Sequence, residues 1–269
     1  MSKEYFLATG DKDEERQEII NGVYNPNTMQ FLIKCGLKPG MKVLNYSCKT
    51  GYSAIELAKI VGKSGKVIAI DASDDSLKTA AKNLNNRGID NIEFKLCNIE
   101  NITTLNTEFD FIYGRWGLLF SRTPEEILKQ MQTLLKVGGV LVSEELNFAE
   151  SGMFSQPHDP LANKYPEIVL ANSLKANLEL NLANKLYSLF VRNKLNNIKI
   201  VANQPILVTS QEKSLFRLSL LSMEKTIIDN SLYTHEQLLE LIEKFKILEN
   251  NSNVIIGGYR NIIVSGTKT

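Results

Sequence analysis

From Lys42 to Glu145 the apolar positions switch repeatedly between alternate spacing and three-to-four spacing, the pattern of a parallel sheet wrapped by helices. Lys42 to Tyr46 reads as a strand, and Gly51 to Val61 puts Ala54, Leu57, Ala58 and Val61 on one helical face. KVIAID, Lys66 to Asp71, is a second strand. Ser73 is placed to cap a helix carrying Leu77, Ala80, Ala81 and Leu84 that ends near Gly88. Asn91 to Cys97 predicts a third strand and Phe109 to Tyr113 a fourth. Pro124 opens a helix bearing Ile127, Leu128, Met131, Leu134 and Leu135, which Gly138-Gly139 stop before a fifth strand, VLVSEE. Beyond Glu145 an irregular stretch, Asn147 to Pro166, leads into helical sequence up to about Leu195. Ile198 to Val208 reads as strand, Gln211 to Ile228 and Thr234 to Phe245 as amphipathic helices, and Asn253 to Gly266 as a β-rich end or hairpin.

Composition narrows what this pattern can serve. The 269 residues are 43% hydrophobic and 23% charged, with a net charge of +1. A chain of this length buries roughly three quarters of its unfolded surface and needs no staples. Near-neutral charge without a basic block argues against nucleic acid or an anionic membrane as partner. Cys35, Cys48 and Cys97 are odd in number and lack a CxxC, and His158 and His235 stand far apart, so neither disulfides nor a metal site is expected. Met1 to Glu18 is charged early and lacks a signal-peptide core, and no window approaches the roughly 18 apolar residues of a membrane span. The expectation is a reduced, cytoplasmic, enzyme-sized protein whose oligomeric state the sequence leaves open.

Candidate chemistry concentrates in VLNYSCKTG, Val43 to Gly51, which joins a strand to a helix where such folds bind ligands beyond the strand carboxyl ends. Asp71 ends the next strand twenty positions after Gly51, the spacing of an acid that accepts ribose hydroxyls. An adenosine-bearing cofactor is implied. From about Pro39 to Glu145 the sequence resembles the class I S-adenosylmethionine-dependent methyltransferases, in their small-molecule branch with quinone-biosynthesis-like cores. That family's first motif is an acid followed by a Gly-x-Gly-x-Gly turn; here Asn45, Ser47, Lys49 and Gly51 stand at those places, so three of four depart. VIAIDAS resembles the ribose-binding strand, with Asp71 on the diol and Ala72 beside the adenine. FKLCNIENI resembles the third-strand motif, with Asn98 opposite the adenine amino group and the Ile99 amide toward a ring nitrogen. FDFIYGRWGLLF and LLKVGGVLVSEE resemble the fourth and fifth strands with their linking helix. YFLATGDKDEERQ resembles the helical lid of some members, bringing Tyr5 over the methionine end.

The resemblance implies an α/β, Rossmann-like, doubly wound, mostly parallel seven-stranded sheet with a helical cap insertion. Residues 1–38 would form the lid, 39–146 the cofactor-binding core, 147–195 the cap over the acceptor pocket, and 196–269 the completion of the sheet. The implied activity is methyl transfer from S-adenosylmethionine to a small-molecule acceptor, with Glu144 or His158 as base where the acceptor is a hydroxyl and Arg115 and Trp116 lining the pocket. Each residue also has a purely structural use: Asp71 as a helix N-terminal acid, Asn98 in a turn, Tyr5 as a helix anchor, His158 in a loop, one of Glu144 and Glu145 solvated, Cys48 and Cys97 at the core edge. Two other readings stand beside it: a methyltransferase-fold binding module, since Lys49 occupies a glycine position, and a nicotinamide-dependent oxidoreductase, which fits Asp71 but lacks a GxGxxG turn. Lys49 would repel a sulfonium, so S-adenosylhomocysteine is expected to bind more tightly than S-adenosylmethionine.

Overall fold

A computed structural model describes residues 6–85, 87–148 and 154–269. Five parallel strands form one continuous sheet in the order β3-β2-β1-β4-β5: β1 (Lys42–Tyr46), β2 (Lys66–Asp71), β3 (Ile92–Leu96), β4 (Phe109–Arg115) and β5 (Leu135–Leu146). Their connecting helices start and stop where local chemistry directs. Preceding them is α1 (Glu14–Lys34); α2 (Tyr52–Val61) follows left-handed Gly51, and α3 (Asp74–Leu84) is capped by Ser73, whose side chain accepts from the Ser76 amide at 3.2 Å. Pro124 occupies the first turn of α4 (Pro124–Thr133), where its missing N–H costs nothing.

The remaining elements complete the sheet and add a helical layer. In chain order they are β6 (Ser155–Gln156), α5 (Pro160–Lys175), α6 (Ala183–Arg192), β7 (Asn196–Asn203), β8 (Ile206–Leu207), α7 (Ser210–Lys213), α8 (Leu215–Ser222), α9 (Glu224–Asp229), α10 (His235–Glu249), β9 (Ile255–Gly257) and β10 (Asn261–Thr267). The last of these runs antiparallel between β5 and β7, giving the expected seven-stranded, mostly parallel sheet. A small second sheet, β6-β9-β8, lies apart.

Alternation along the strands divides the core. Val43, Val67, Phe111 and Val142 pack on one face with α1 and α2, whereas Leu44, Ile68, Ile112 and Leu141 pack on the other with α4 and α6. A third cluster joins Ile20 and Tyr24 of α1 to α5, α8 and α10.

Four expectations are corrected. The helix opened by Pro124 ends at Thr133, and Leu135 and Gly138-Gly139, expected to close it, lie within β5. The single strand expected over Ile198 to Val208 divides near Gln204-Pro205 into β7 and β8, because proline cannot donate to a ladder. Gln211 to Ile228 forms three short helices, the first opened by a Thr209–Glu212 capping box. The β-rich end is no hairpin: β9 and β10 enter different sheets. Packing also redistributes the expected cap. Leu186, Leu189 and Phe190 of α6 cover the main sheet, whereas α8 and α10, from the segment expected to complete that sheet, build the helical layer with α5.

Candidate active site

Strand order reverses between β1 and β4, and open α/β sheets bind ligands beyond the strand carboxyl ends at such a point. Two loops meet there. A Cβ built on Gly117 would fall 2.5 Å from the Ser47 hydroxyl oxygen, so only glycine lets the loop after β4 approach the loop after β1 this closely.

The loop after β1 is pinned to β2 by its backbone. Cys48 N–H donates to the Ile70 carbonyl at 3.0 Å, and Lys49 N–H donates to Asp71 Oδ2 at 3.0 Å. The other Asp71 oxygen accepts from the Ser73 amide at 3.0 Å. Three residues of the loop are left-handed: Ser47 at φ 51°, Lys49 at φ 51° and Gly51 at φ 86°. These are the three positions where the motif would have glycine. The backbone thus keeps the glycine conformation with a serine and a lysine in it, at an expected cost of roughly 1–2 kcal/mol per side chain.

After β4, Trp116 is also left-handed at φ 53°, and its amide donates to the Glu144 carbonyl at 2.8 Å. The next turn, Leu118–Phe120, rests on Glu145, whose Oε1 accepts from the Leu118 amide at 3.0 Å and from the Ser143 hydroxyl at 3.3 Å. Its Oε2 is buried without a partner among the described residues. Burial therefore raises the Glu145 carboxyl to about 8, against the lowering by its hydrogen bonds.

Two cavities flank the paired loops. An outer cleft, open to solvent, runs past Asp71 and Ala72 at the end of β2 and Asn98 and Ile99 after β3. Asn98 accepts from the Glu100 amide at 3.3 Å, and Ile99 begins the following turn, where the first N–H groups lack intrahelical acceptors. A smaller inner cavity lies under the helical layer, with Phe148, Val169, Leu180 and Met223 among its apolar walls and Arg16, Arg115, Tyr165 and Tyr259 among its polar ones. Phe6, Leu7, Ser47, Lys49 and Phe120 line both.

Several of the inner cavity's polar groups are tied into hydrogen-bonded sets. Arg16 makes a bidentate pair with Asp13 at 2.6 and 2.9 Å, and Gln17 and Ser222 also donate to that carboxylate. Burial pushes the Asp13 carboxyl up, but Arg16 and the other donors outweigh it and hold the group below its ordinary value. The Tyr165 and Tyr259 hydroxyls are hydrogen-bonded to each other, and Tyr259 also donates to Ser219 at 3.3 Å. Among the described residues no group of three or more His, Cys, Asp or Glu could hold a metal ion, and no helix is long and apolar enough to cross a membrane.

The family described as "Methyltransferase domain" matches residues 37–217. The chain belongs to the class I S-adenosylmethionine-dependent methyltransferase family. It is 29% identical over 163 residues to the ubiquinone/menaquinone biosynthesis C-methyltransferase UbiE of Ectopseudomonas mendocina, covering 60% of each chain. Identity to the UbiE protein of Cronobacter sakazakii is 34% over 139 residues, 51% of this chain and 52% of that one. This methyltransferase chain therefore spans 52–60% of the length of those two curated relatives. In fold it is similar to the YcgJ protein of Bacillus subtilis, with a TM-score of 0.59 at 15% identity over 90% of this chain and 98% of that one.

Of the residues expected to serve a methyltransferase site, Ser47, Asp71, Ala72, Asn98 and Ile99 line the outer cleft together. Arg115 lines the inner cavity instead, held by an ion pair to Glu144 at 3.0 Å and by Asn25 and Thr28 at 2.8 and 3.2 Å. Trp116 lines the same cavity and donates to Asn261 at 3.0 Å. Asn45 and Gly51 line neither. The first is 1% exposed and donates to the Tyr113 carbonyl at 3.1 Å. Gly51 packs where a Cβ would fall 2.9 Å from that of Ala80. Glu144 is fully buried, its oxygens taken by Thr28, Tyr113, Arg115 and Asn261, so it faces no ligand cavity. His158 is exposed in the loop before α5 and lines neither cavity. Tyr5 lies outside the described residues. Arg16, Gln17, Tyr165, Ser219 and Tyr259 escaped the sequence reading. The Asp13-x-x-Arg16 pair at a helix start was the one visible signal, and nothing in it announces burial.

Proposed function

We propose that the protein transfers the methyl group of S-adenosylmethionine to a small-molecule acceptor, the donor in the outer cleft and the acceptor in the inner cavity. The observation that carries this reading is the junction of the two cavities at Ser47 and Lys49, on a loop hydrogen-bonded to the strand-end acid Asp71. When bound, the donor supplies an electrophilic sulfonium methyl. Asp71 is assigned to the ribose hydroxyls: each of its oxygens is given one backbone donor here and has lone-pair capacity for another. Asn98 and the Ile99 amide are assigned to the adenine edge, and Ser47 to the methionine portion.

Apolar walls and the helical layer exclude water from the acceptor, and alignment of two reactants in such a pocket supplies roughly 7–11 kcal/mol of a displacement barrier. No Asp, Glu or His lines the inner cavity among the described residues. That absence suits an acceptor that arrives already nucleophilic, and it moves Glu144 from base to positioning residue, the anchor of Arg115. Calorimetric titration with S-adenosylmethionine, S-adenosylhomocysteine and NAD tests the reading. Binding of the first two and not of NAD is expected; NAD binding alone would end it.

A further inference from the structure

Lys49 sits on the seam between the cavities, and its ammonium lies 5.2 Å from the centre of the Phe120 ring. Three cations line the inner cavity, and two of them are neutralised: Arg16 by Asp13 at 2.6 Å and Arg115 by Glu144 at 3.0 Å. Lys49 has no carboxylate partner among the described residues, and no carboxylate lines that cavity. Lys49 is thus the one cation of the inner cavity without a carboxylate partner among the described residues, on the seam with a cleft lined by Asp13, Asp71, Glu100 and Asp229, against otherwise largely apolar inner walls. Low dielectric strengthens the pull of such a charge on an anion and its repulsion of a second cation.

We propose that Lys49 selects the acceptor: a compact, mostly apolar molecule bearing one anionic oxygen, a carboxylate or an ionised hydroxyl, that pairs with the Lys49 ammonium at the junction of the cavities. This rests on the methyl-transfer reading. Its geometry follows from the strained loop, because left-handed Lys49 has its amide on Asp71 and its side chain against Phe120, which ties the charge to both sites. An anion there screens the lysine from a sulfonium in the outer cleft. Acceptor and donor then favour each other's binding, and by linkage the coupling is reciprocal. S-adenosylhomocysteine lacks the positive sulfur and gains nothing from the anion.

The test uses 1-naphthoate as probe acid and 1-naphthamide as its neutral counterpart, titrated calorimetrically into wild type, Lys49→Met and Lys49→Arg, alone and with S-adenosylmethionine or S-adenosylhomocysteine. In wild type, naphthoate is expected to tighten S-adenosylmethionine about tenfold and to leave S-adenosylhomocysteine unchanged. Lys49→Met is expected to weaken naphthoate about tenfold without affecting naphthamide, and Lys49→Arg to restore it. Naphthoate binding indifferent to Lys49→Met overturns the proposal. So does Lys49→Met weakening S-adenosylhomocysteine while sparing 5′-methylthioadenosine, which would put the lysine on the donor's own carboxylate. If neither S-adenosylmethionine nor S-adenosylhomocysteine binds wild type, the methyl-transfer reading itself falls. If they bind and naphthoate behaves like naphthamide, only the selection by Lys49 falls.

Discussion

The two cavities are built in opposite ways. On its sheet side the outer cleft is made by the ends of adjacent strands, although Asp13, Lys175 to Leu178, Thr226 and Asn230 also line it, and its key sheet-side contacts, Lys49 and Ser73 amides on Asp71, join residues 22 and 2 positions apart. The inner cavity is made by side chains from distant segments: Arg16 in its wall is held by Asp13, to which Ser222 donates across 209 positions, and the Tyr165 and Tyr259 hydroxyls meet across 94. A cleft made by strand ends tolerates change in one side chain, because the backbone holds its shape. A cavity held by buried side-chain pairs depends on each partner.

The largest expected effect tests that dependence. Asp13→Ala leaves the Arg16 guanidinium, 5% exposed, without its counter-ion, and should cost about 3–5 kcal/mol of stability in denaturant unfolding. A loss under about 1 kcal/mol would mean that water reaches Arg16 and that the wall is looser than the packing implies.

The outer cleft should lose affinity instead of stability. Asp71→Ala removes the acid assigned to the ribose and should weaken S-adenosylhomocysteine by roughly 1.5–3 kcal/mol, with a smaller change in unfolding. Unchanged affinity in calorimetry would take Asp71 out of the site.

Between the regions, Glu145 supports the turn that carries Gly117 and Phe120. Its folded pKa is raised to about 8 from 4.5, so the native protein keeps a proton that the unfolded chain releases. Its stabilising contribution is present below about pH 4.5 and is lost as pH rises through about 8, at a slope approaching 1.4 kcal/mol per pH unit between the two values. Glu145→Gln should flatten that stretch of the stability–pH curve, and curves of equal slope would show that the carboxyl titrates elsewhere.

Least change is expected at the seam. Lys49→Gly relieves left-handed strain of roughly 1–2 kcal/mol but frees the unfolded chain by roughly 0.4–1 kcal/mol, so stability should rise by about 1 kcal/mol or less. A larger gain would show that the strain at φ 51° exceeds the usual cost of a left-handed side chain.

The sheet was legible because its signals are local: β1 to β5 and their helices follow from apolar period, the Ser73 cap and Pro124, although Gly138-Gly139, expected to stop α4, lie inside β5; Asp71 follows from position at a strand end, and Ala72, Asn98 and Ile99 from the family resemblance. Where the sequence misled, the cause was tertiary. Glu144 and Glu145 read alike as strand-end acids. Opposite faces of β5 gave one a saturating set of donors and left the other with an orphaned oxygen. Asn45 and Gly51 matched a cofactor motif by spacing, yet packing placed them against Tyr113 and Ala80. Helical periodicity ran through Gln211 to Ile228, and the fit onto α1 and α10 decided where it broke.

Chain order and period alone determined an alternating α/β core and the acid that ends β2, because each depends on contacts within a few tens of residues. Tertiary structure decided the inner cavity, the neutralisation of Arg16 and Arg115, and the isolation of Lys49. Those depend on which distant side chains share a low-dielectric space, and no periodicity encodes that.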